Sequence, residues 1–140
     1  MPSVSFSHYS GPKGDYDNRK PTKASTAIAI GDAVMEDTGF SPATTGNKVY
    51  AIALEAKAVG DTSQDPILTQ SVFIARAKFF GTREAGTLDA DDINDRVDLQ
   101  SPDGFDADDT TNGDLLLDAR LDADSAVLQF SDPAWLNATN

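Results

Sequence analysis

Of the 140 residues, twenty are aspartate, three are glutamate, one is histidine and none is cysteine. These are the groups with which a chain does acid–base, nucleophilic or metal chemistry. Nucleophilic catalysis needs a nucleophile with a base in hydrogen-bond reach. There is no thiol, and the sole imidazole, His8, lies in an N-terminal stretch broken by proline and glycine, so a Ser–His arrangement is disfavoured. Paired carboxylates serve as general acid and base in many enzymes, but among so many aspartates no spacing singles out a dyad. No glycine-rich phosphate loop and no HExxH zinc helix occurs. The best cation candidate is DGFDADDTTNGD, residues 103–114. Read as an EF-hand from Asp108, it puts Ala119 where the loop's closing bidentate glutamate must stand, so that motif fails. The sequence predicts a solvated turn region there, with no catalytic residue, no cofactor and no metal.

The charge is strongly uneven. The formal net charge is −12, yet residues 1–30 carry Lys13, Arg19, Lys20 and Lys23 against only Asp15 and Asp17. The remainder carries 7 basic and 21 acidic groups, 14 of the acids from Asp89 onward. Such a body repels phosphates, which disfavours nucleic-acid binding. No apolar run approaches the ~18 residues of a membrane span. The bias of aspartate over glutamate argues against long helices. It also resembles the surfaces of proteins from salt-loving organisms, where a Debye length of about 3 Å in molar salt quiets self-repulsion.

These charges must be positioned by short strands. From residue 26 the chain reads as β-like runs: 26–30, 33–36, 48–54, 71–79, 96–100, 114–122 and 126–130. Within 48–54, Val49, Ala51 and Ala53 are expected on one face and Tyr50, Ile52 and Leu54 on the other, so this strand should be covered on both sides. Residues 122–125 read as a hairpin turn and 89–95 as one helical turn. The predicted fold is mainly all-β, a small antiparallel β-barrel or sandwich with Asp-rich loops. Its divisions are an extended N-terminal arm (1–25), a β-rich core (26–132, with an Asp-rich loop insertion at 84–113) and a C-terminal tail (133–140) carrying Trp135. Three aromatics and Val4 are too many for an inert arm. It is expected to order against a partner, the alternative being that it folds back on its own domain.

Residues 28–56, IAIGDAVMEDTGFSPATTGNKVYAIALEA, carry a further signal. A strand, Gly-Asp, an apolar strand, a turn, Pro-Ala-Thr and a strand leading to AIALEA resemble the small β-rich head-decoration, or capsid cement, proteins of tailed viruses. The resemblance implies a virion protein without catalytic residues, seated on the outer surface of an icosahedral capsid. It further implies a homotrimer bridging neighbouring copies of the major capsid protein, and an arm pairing with a capsid strand by β-augmentation. Here Val4, Phe6, Tyr9 and Tyr16 would be its anchors, and Arg19, Lys20 and Lys23 would face acidic capsid surface. The insertion at 84–113 departs from the smallest such proteins. Other expectations are a different virion part (tail, collar or fibre base), or a non-catalytic carbohydrate- or Ca²⁺-binding module.

Overall fold

A computed structural model describes residues 6–13, 16–36, 38–72 and 77–130. Within them lie β1 (Ser7–Ser10), β2 (Tyr16–Asp17), β3 (Ala33–Glu36), β4 (Phe40–Pro42), β5 (Ala51–Ala53) and β6 (Thr69–Ser71). There follow β7 (Lys78–Ala85), a 3₁₀ turn (Ala90–Asp92), β8 (Arg96–Ser101), β9 (Gly104–Asp106), β10 (Leu115–Arg120) and β11 (Ser125–Phe130). The protein is all-β, as its composition predicts.

Strands β7, β11, β10, β8 and β9 follow one another around a barrel. It closes because β9 lies parallel to the C-terminal half of β7, with Arg83 opposite Phe105. The N-terminal half of β7 instead pairs with β1, His8 opposite Phe79. The second sheet runs β2-β6-β5-β3-β4, all antiparallel. One apolar cluster joins the two units. Val97, Leu99, Phe105, Leu115, Leu117 and Leu128 of the barrel pack in it with Ala33 and Ile52 of the second sheet. The opposite face of that sheet has its own smaller cluster, Ile28, Val34, Phe40, Ala51, Ala53 and Ile67. This is the two-sided burial expected of 48–54. The face assignment differs at one point, because Val49 joins Ile52 in the larger cluster while Ala51 and Ala53 face the smaller one. Regular alternation begins only at β5.

The N-terminal segment differs most from its expected role as a separate arm. Phe6 is 2% exposed and stacks edge-on against Phe130 at 5.0 Å, and its N–H donates to the Gly31 carbonyl at 3.1 Å. β1 adds to the barrel, β2 adds to the second sheet, and Thr22 bridges to Phe40. The described part of residues 1–25 is therefore built into the domain. Burial of the Phe6 ring and the strand hydrogen bonds of β1 and β2 are interactions that a free arm would lack, and they offset part of the cost of ordering the segment. Gly81 makes room for it, since a Cβ there would stand 2.9 Å from Phe6 Cε1 and 2.6 Å from Leu128 Cδ2.

Other elements sharpen or shift. Residues 26–30 form only an isolated bridge, Ile28 to Lys57. The run 71–79 divides between β6 and β7, one in each sheet. Residues 73–76 between them, including Phe73 and Ala75, lie outside the described residues, as do Val4 and Trp135. The segment 84–113, expected as a loop insertion, supplies β8 and β9 and so completes the barrel. β8 is the run expected at 96–100, whereas β9, three residues ending in Asp106 within the Asp-rich stretch, was not expected as a strand. Residues 114–122 form strand rather than helix. A register shift between Leu117 and Ala119 ends the alternation, leaving Leu121 43% exposed instead of inward. The hairpin at 122–125 is present, Asp122 Oδ1 accepting the Asp124 N–H at 2.8 Å, and the helical turn appears at Ala90–Asp92.

Candidate functional site

β1 and β2 are consecutive in the chain, yet each stands at the end of a different sheet. Their outer edges have no strand partner among the described residues, and unpaired edges are the usual templates for a partner's strand. Tyr9 and Tyr16 on this ribbon are 52% and 56% exposed. Arg19 and Lys20 are exposed just beyond β2, and Lys23 is half-buried where its N–H meets the Phe40 carbonyl at 2.9 Å. The structure thus leaves Tyr9, Tyr16, Arg19 and Lys20 exposed along one chain segment and buries Phe6. His8 Nε2 donates to the Gly11 carbonyl at 2.9 Å and its ring packs edge-on against Phe79, a structural role.

Beside β2 the second sheet holds a cavity of about 90 Å³. Phe40 and Ala51 supply apolar wall, and Asp17, Lys20, Tyr50, Thr69 and Ser71 supply polar groups. Alternation explains the set. Asp17, Thr69, Ala51 and Ser71 occupy directly paired positions of β2, β6 and β5, so they share one face. Asp17 accepts the Arg19 N–H at 2.8 Å and Arg19 Nε at 3.3 Å; these bonds hold its carboxyl below the usual range. Lys48 Nζ lies 5.1 Å from the Tyr50 ring centroid. Tyr50 was expected only as a core-strand residue. Its 41% exposure follows from its place one residue before β5, where a side chain escapes the sheet's cover.

The 103–114 stretch spends its carboxylates on its own backbone. Asp106 Oδ1 takes the Asp108 N–H at 2.9 Å and Asp109 Oδ1 takes the Thr111 N–H at 3.0 Å. The loop closes over Asp98, which is 1% exposed. Asp98 Oδ1 accepts the N–H groups of Asn112 and Gly113, both at 2.7 Å, and Oδ2 accepts Thr45 Oγ1–H at 3.2 Å and Asn112 Nδ2–H at 3.1 Å. Asp114 Oδ2 accepts the Leu99 and Gly46 N–H groups at 2.9 and 3.1 Å. Burial raises the Asp114 carboxyl all the same, with the Asp98 and Asp109 charges adding to it. Two buried aspartates thereby tie the barrel to the 44–47 turn. Among the described residues no group of three or more His, Cys, Asp or Glu side chains is placed to hold a metal ion.

A second acidic group sits at the seam between barrel and sheet. Ser101 Oγ donates to Glu84, and it lies 2.6 Å from Asp103 Oδ1. Next to them the Ala33 N–H donates to the Pro102 carbonyl at 2.7 Å, joining β3 to the β8–β9 turn. Burial raises the carboxyls of Glu84 and Asp32, and the Asp103 charge raises both further. A carboxyl raised on folding contributes stability in full below its unfolded pKa, and that contribution is lost as pH rises through the folded value. The carboxyls of Asp17, Asp61, Asp109 and Asp122 are lowered, by hydrogen bonds, and act in the opposite sense at lower pH. Thermal melts across pH should therefore peak near the ordinary carboxylate range, about pH 4. They should fall on both sides, and Glu84→Gln should flatten the decline above the peak.

Fold and surface together define a class: an acidic all-β module, a closed five-strand barrel with an attached second sheet, edged by a tyrosine-bearing ribbon. Compared with protein-family models, with curated proteins and with solved structures, the chain matches none.

Proposed function

We propose that this protein is a non-catalytic virion component, a decoration protein that binds the outer surface of an icosahedral capsid and bridges neighbouring copies of the major capsid protein. The observation that carries the reading is the segment from β1 to β2, two consecutive strands whose outer edges have no strand partner among the described residues, with Tyr9 and Tyr16 exposed. An open edge offers main-chain hydrogen bonds for register, and exposed tyrosines offer anchors of the kind that dominate interface energies. The resemblance of residues 28–56 to capsid cement proteins supports the same reading. The ribbon acts as a fixed edge of the folded domain, not as a free arm, because Phe6 holds its start in the core. Arg19 and Lys20 are the basic groups offered to an acidic shell. The anionic body faces solvent, where high net charge opposes aggregation of dense particles, and its aspartate bias suits a salt-loving host. The assembly proposed on the particle is a homotrimer.

Co-sedimentation with capsids stripped of decoration tests this. The wild-type chain should pellet with them, and the Tyr9→Ala/Tyr16→Ala double variant, folded by circular dichroism, should lose at least about tenfold in affinity, as expected for two anchor residues. Equal binding by the double variant would sink the ribbon mechanism, and absence of wild-type binding would sink the capsid reading.

A further inference from the structure

Asn112 and Gly113 form the only Asn-Gly pair in the chain. Such a pair is chemically labile, because glycine has no Cβ to hinder its backbone nitrogen from approaching the asparagine side chain. The Gly113 nitrogen attacks Asn112 Cγ; the N–Cγ bond forms, the Cγ–Nδ2 bond breaks, and the amide proton leaves with Nδ2 as ammonia. Water then opens the resulting cyclic imide at either carbonyl, leaving aspartate or isoaspartate at position 112. The fold uses both residues of the pair. Gly113 sits at φ +65°, in the left-handed region that favours glycine, and Asn112 supplies two donors to the buried Asp98.

Asp98 holds the very atoms that this reaction must move. Its Oδ1 accepts the Gly113 N–H at 2.7 Å, so the attacking nitrogen keeps its proton, and it accepts the Asn112 N–H at 2.7 Å as well. Its Oδ2 accepts Asn112 Nδ2–H at 3.1 Å, and Nδ2 also donates to Thr45 Oγ1 at 3.4 Å. A Cβ on Gly46 would stand 3.4 Å from Asn112 Nδ2, so the carboxamide is packed against the 44–47 turn. Asn112 itself is exposed, so solvent base and water are at hand, and these bonds rather than burial restrain it. A carboxylate beside an amide nitrogen opposes its deprotonation, most strongly where burial limits screening. We propose that Asn112 is a latent deamidation site gated by Asp98, slow while the loop over Asp98 is closed and reactive when that loop opens locally. The product reinforces the opening. A carboxylate at 112 places a second negative charge where Asp98 Oδ2 now accepts a donor, so the closed loop is not restored and each molecule keeps a one-way record of its age. This inference is independent of the capsid reading.

The test is peptide mapping by mass spectrometry on the full chain aged at mildly alkaline pH, which gives the rate of deamidation at Asn112. The folded wild type should react at least about tenfold more slowly than the same chain unfolded in guanidinium chloride, since reaction waits on an opening. Asp98→Asn, verified as folded by circular dichroism, should raise the folded rate at least about tenfold, because a neutral amide holds N–H groups more weakly than a carboxylate. Thr45→Ala, at an exposed position of the turn, should raise it as well and tests the gate even where Asp98→Asn does not fold. Guanidinium chloride below the unfolding transition should barely change the folded rate, because a local opening exposes little surface. Asn112→Asp, standing for the product, should lower the urea midpoint. The gate is overturned if folded and unfolded chains react equally fast, if neither variant reacts faster than the wild type, or if the folded rate climbs in step with global unfolding. An Asn112→Asp chain as stable as the wild type would overturn the one-way consequence.

Discussion

Replacing Asp98 with alanine is expected to cost about 3–5 kcal/mol of folding stability, because several buried donors lose their acceptor at roughly 1–3 kcal/mol each. The donors are the backbone N–H groups of Asn112 and Gly113, the Thr45 hydroxyl and the Asn112 amide. The net figure is below their sum, since alanine also removes a carboxylate that was costly to bury. For a single domain with a total stability of about 5–15 kcal/mol, this is a large fraction. In urea titrations the midpoint should fall sharply with little change of slope. Asp98→Asn, which keeps one acceptor oxygen, should lose less. A change under about 0.5 kcal/mol for the alanine variant, the range of ordinary surface substitutions, would mean that the loop over Asp98 is not held as described.

The second large effect is at Phe6. Truncation to alanine should destabilise the domain by about 3–5 kcal/mol, the usual cost of emptying a phenylalanine site in a packed core. The ring meets Phe130 at 5.0 Å and fills the space that Gly81 leaves free. Tyr16→Ala on the same segment should change stability by less than about 0.5 kcal/mol, because its side chain is largely in solvent. The contrast between two aromatics ten positions apart separates a segment built into the fold from a detachable arm. If both variants melt like the wild type, residues 6–25 are an arm after all. If Phe6→Ala alone melts early, deleting residues 1–25 removes core as well as attachment surface.

Much of the fold was legible in the sequence wherever alternation was undisturbed. Residues 33–36 and 126–130 alternate cleanly or carry β-branched residues between turn signals, and both appear as strands close to the expected limits. What alternation hides is burial of a charge. Asp98 reads as an outward residue of 96–100, yet it is 1% exposed because a loop from residues 109–114 lies over it. No local pattern signals a contact made across that distance. The same applies to β9, three residues whose pairing with β7 spans a long stretch of chain. The N-terminal segment misleads for a different reason. Pro12 and Gly11, which read as signs of an unstructured arm, instead separate β1 from β2 and let the chain step between the two sheets.

Of the residues expected to meet a partner, Tyr9, Tyr16, Arg19 and Lys20 are on the surface, and their basic and aromatic types were the visible clue. The cavity was not visible. Tyr50, one residue before β5, and Ser71 of β6 line the same cavity only through the β5–β6 register, Ala51 opposite Ser71. Residue type alone cannot reveal a site assembled by pairing.

The central claim concerns orientation: ribbon toward a shell, acid toward solvent. Electron cryomicroscopy of particles carrying the protein, at a resolution that places its strands, tests this most directly. The account predicts density on the outer capsid surface with the Tyr9-to-Tyr16 edge against the shell and the turns at 89–95 and 122–125 facing outward. Density in the tail or collar, or a domain whose acidic turns meet the shell while Tyr9 and Tyr16 face solvent, would contradict it.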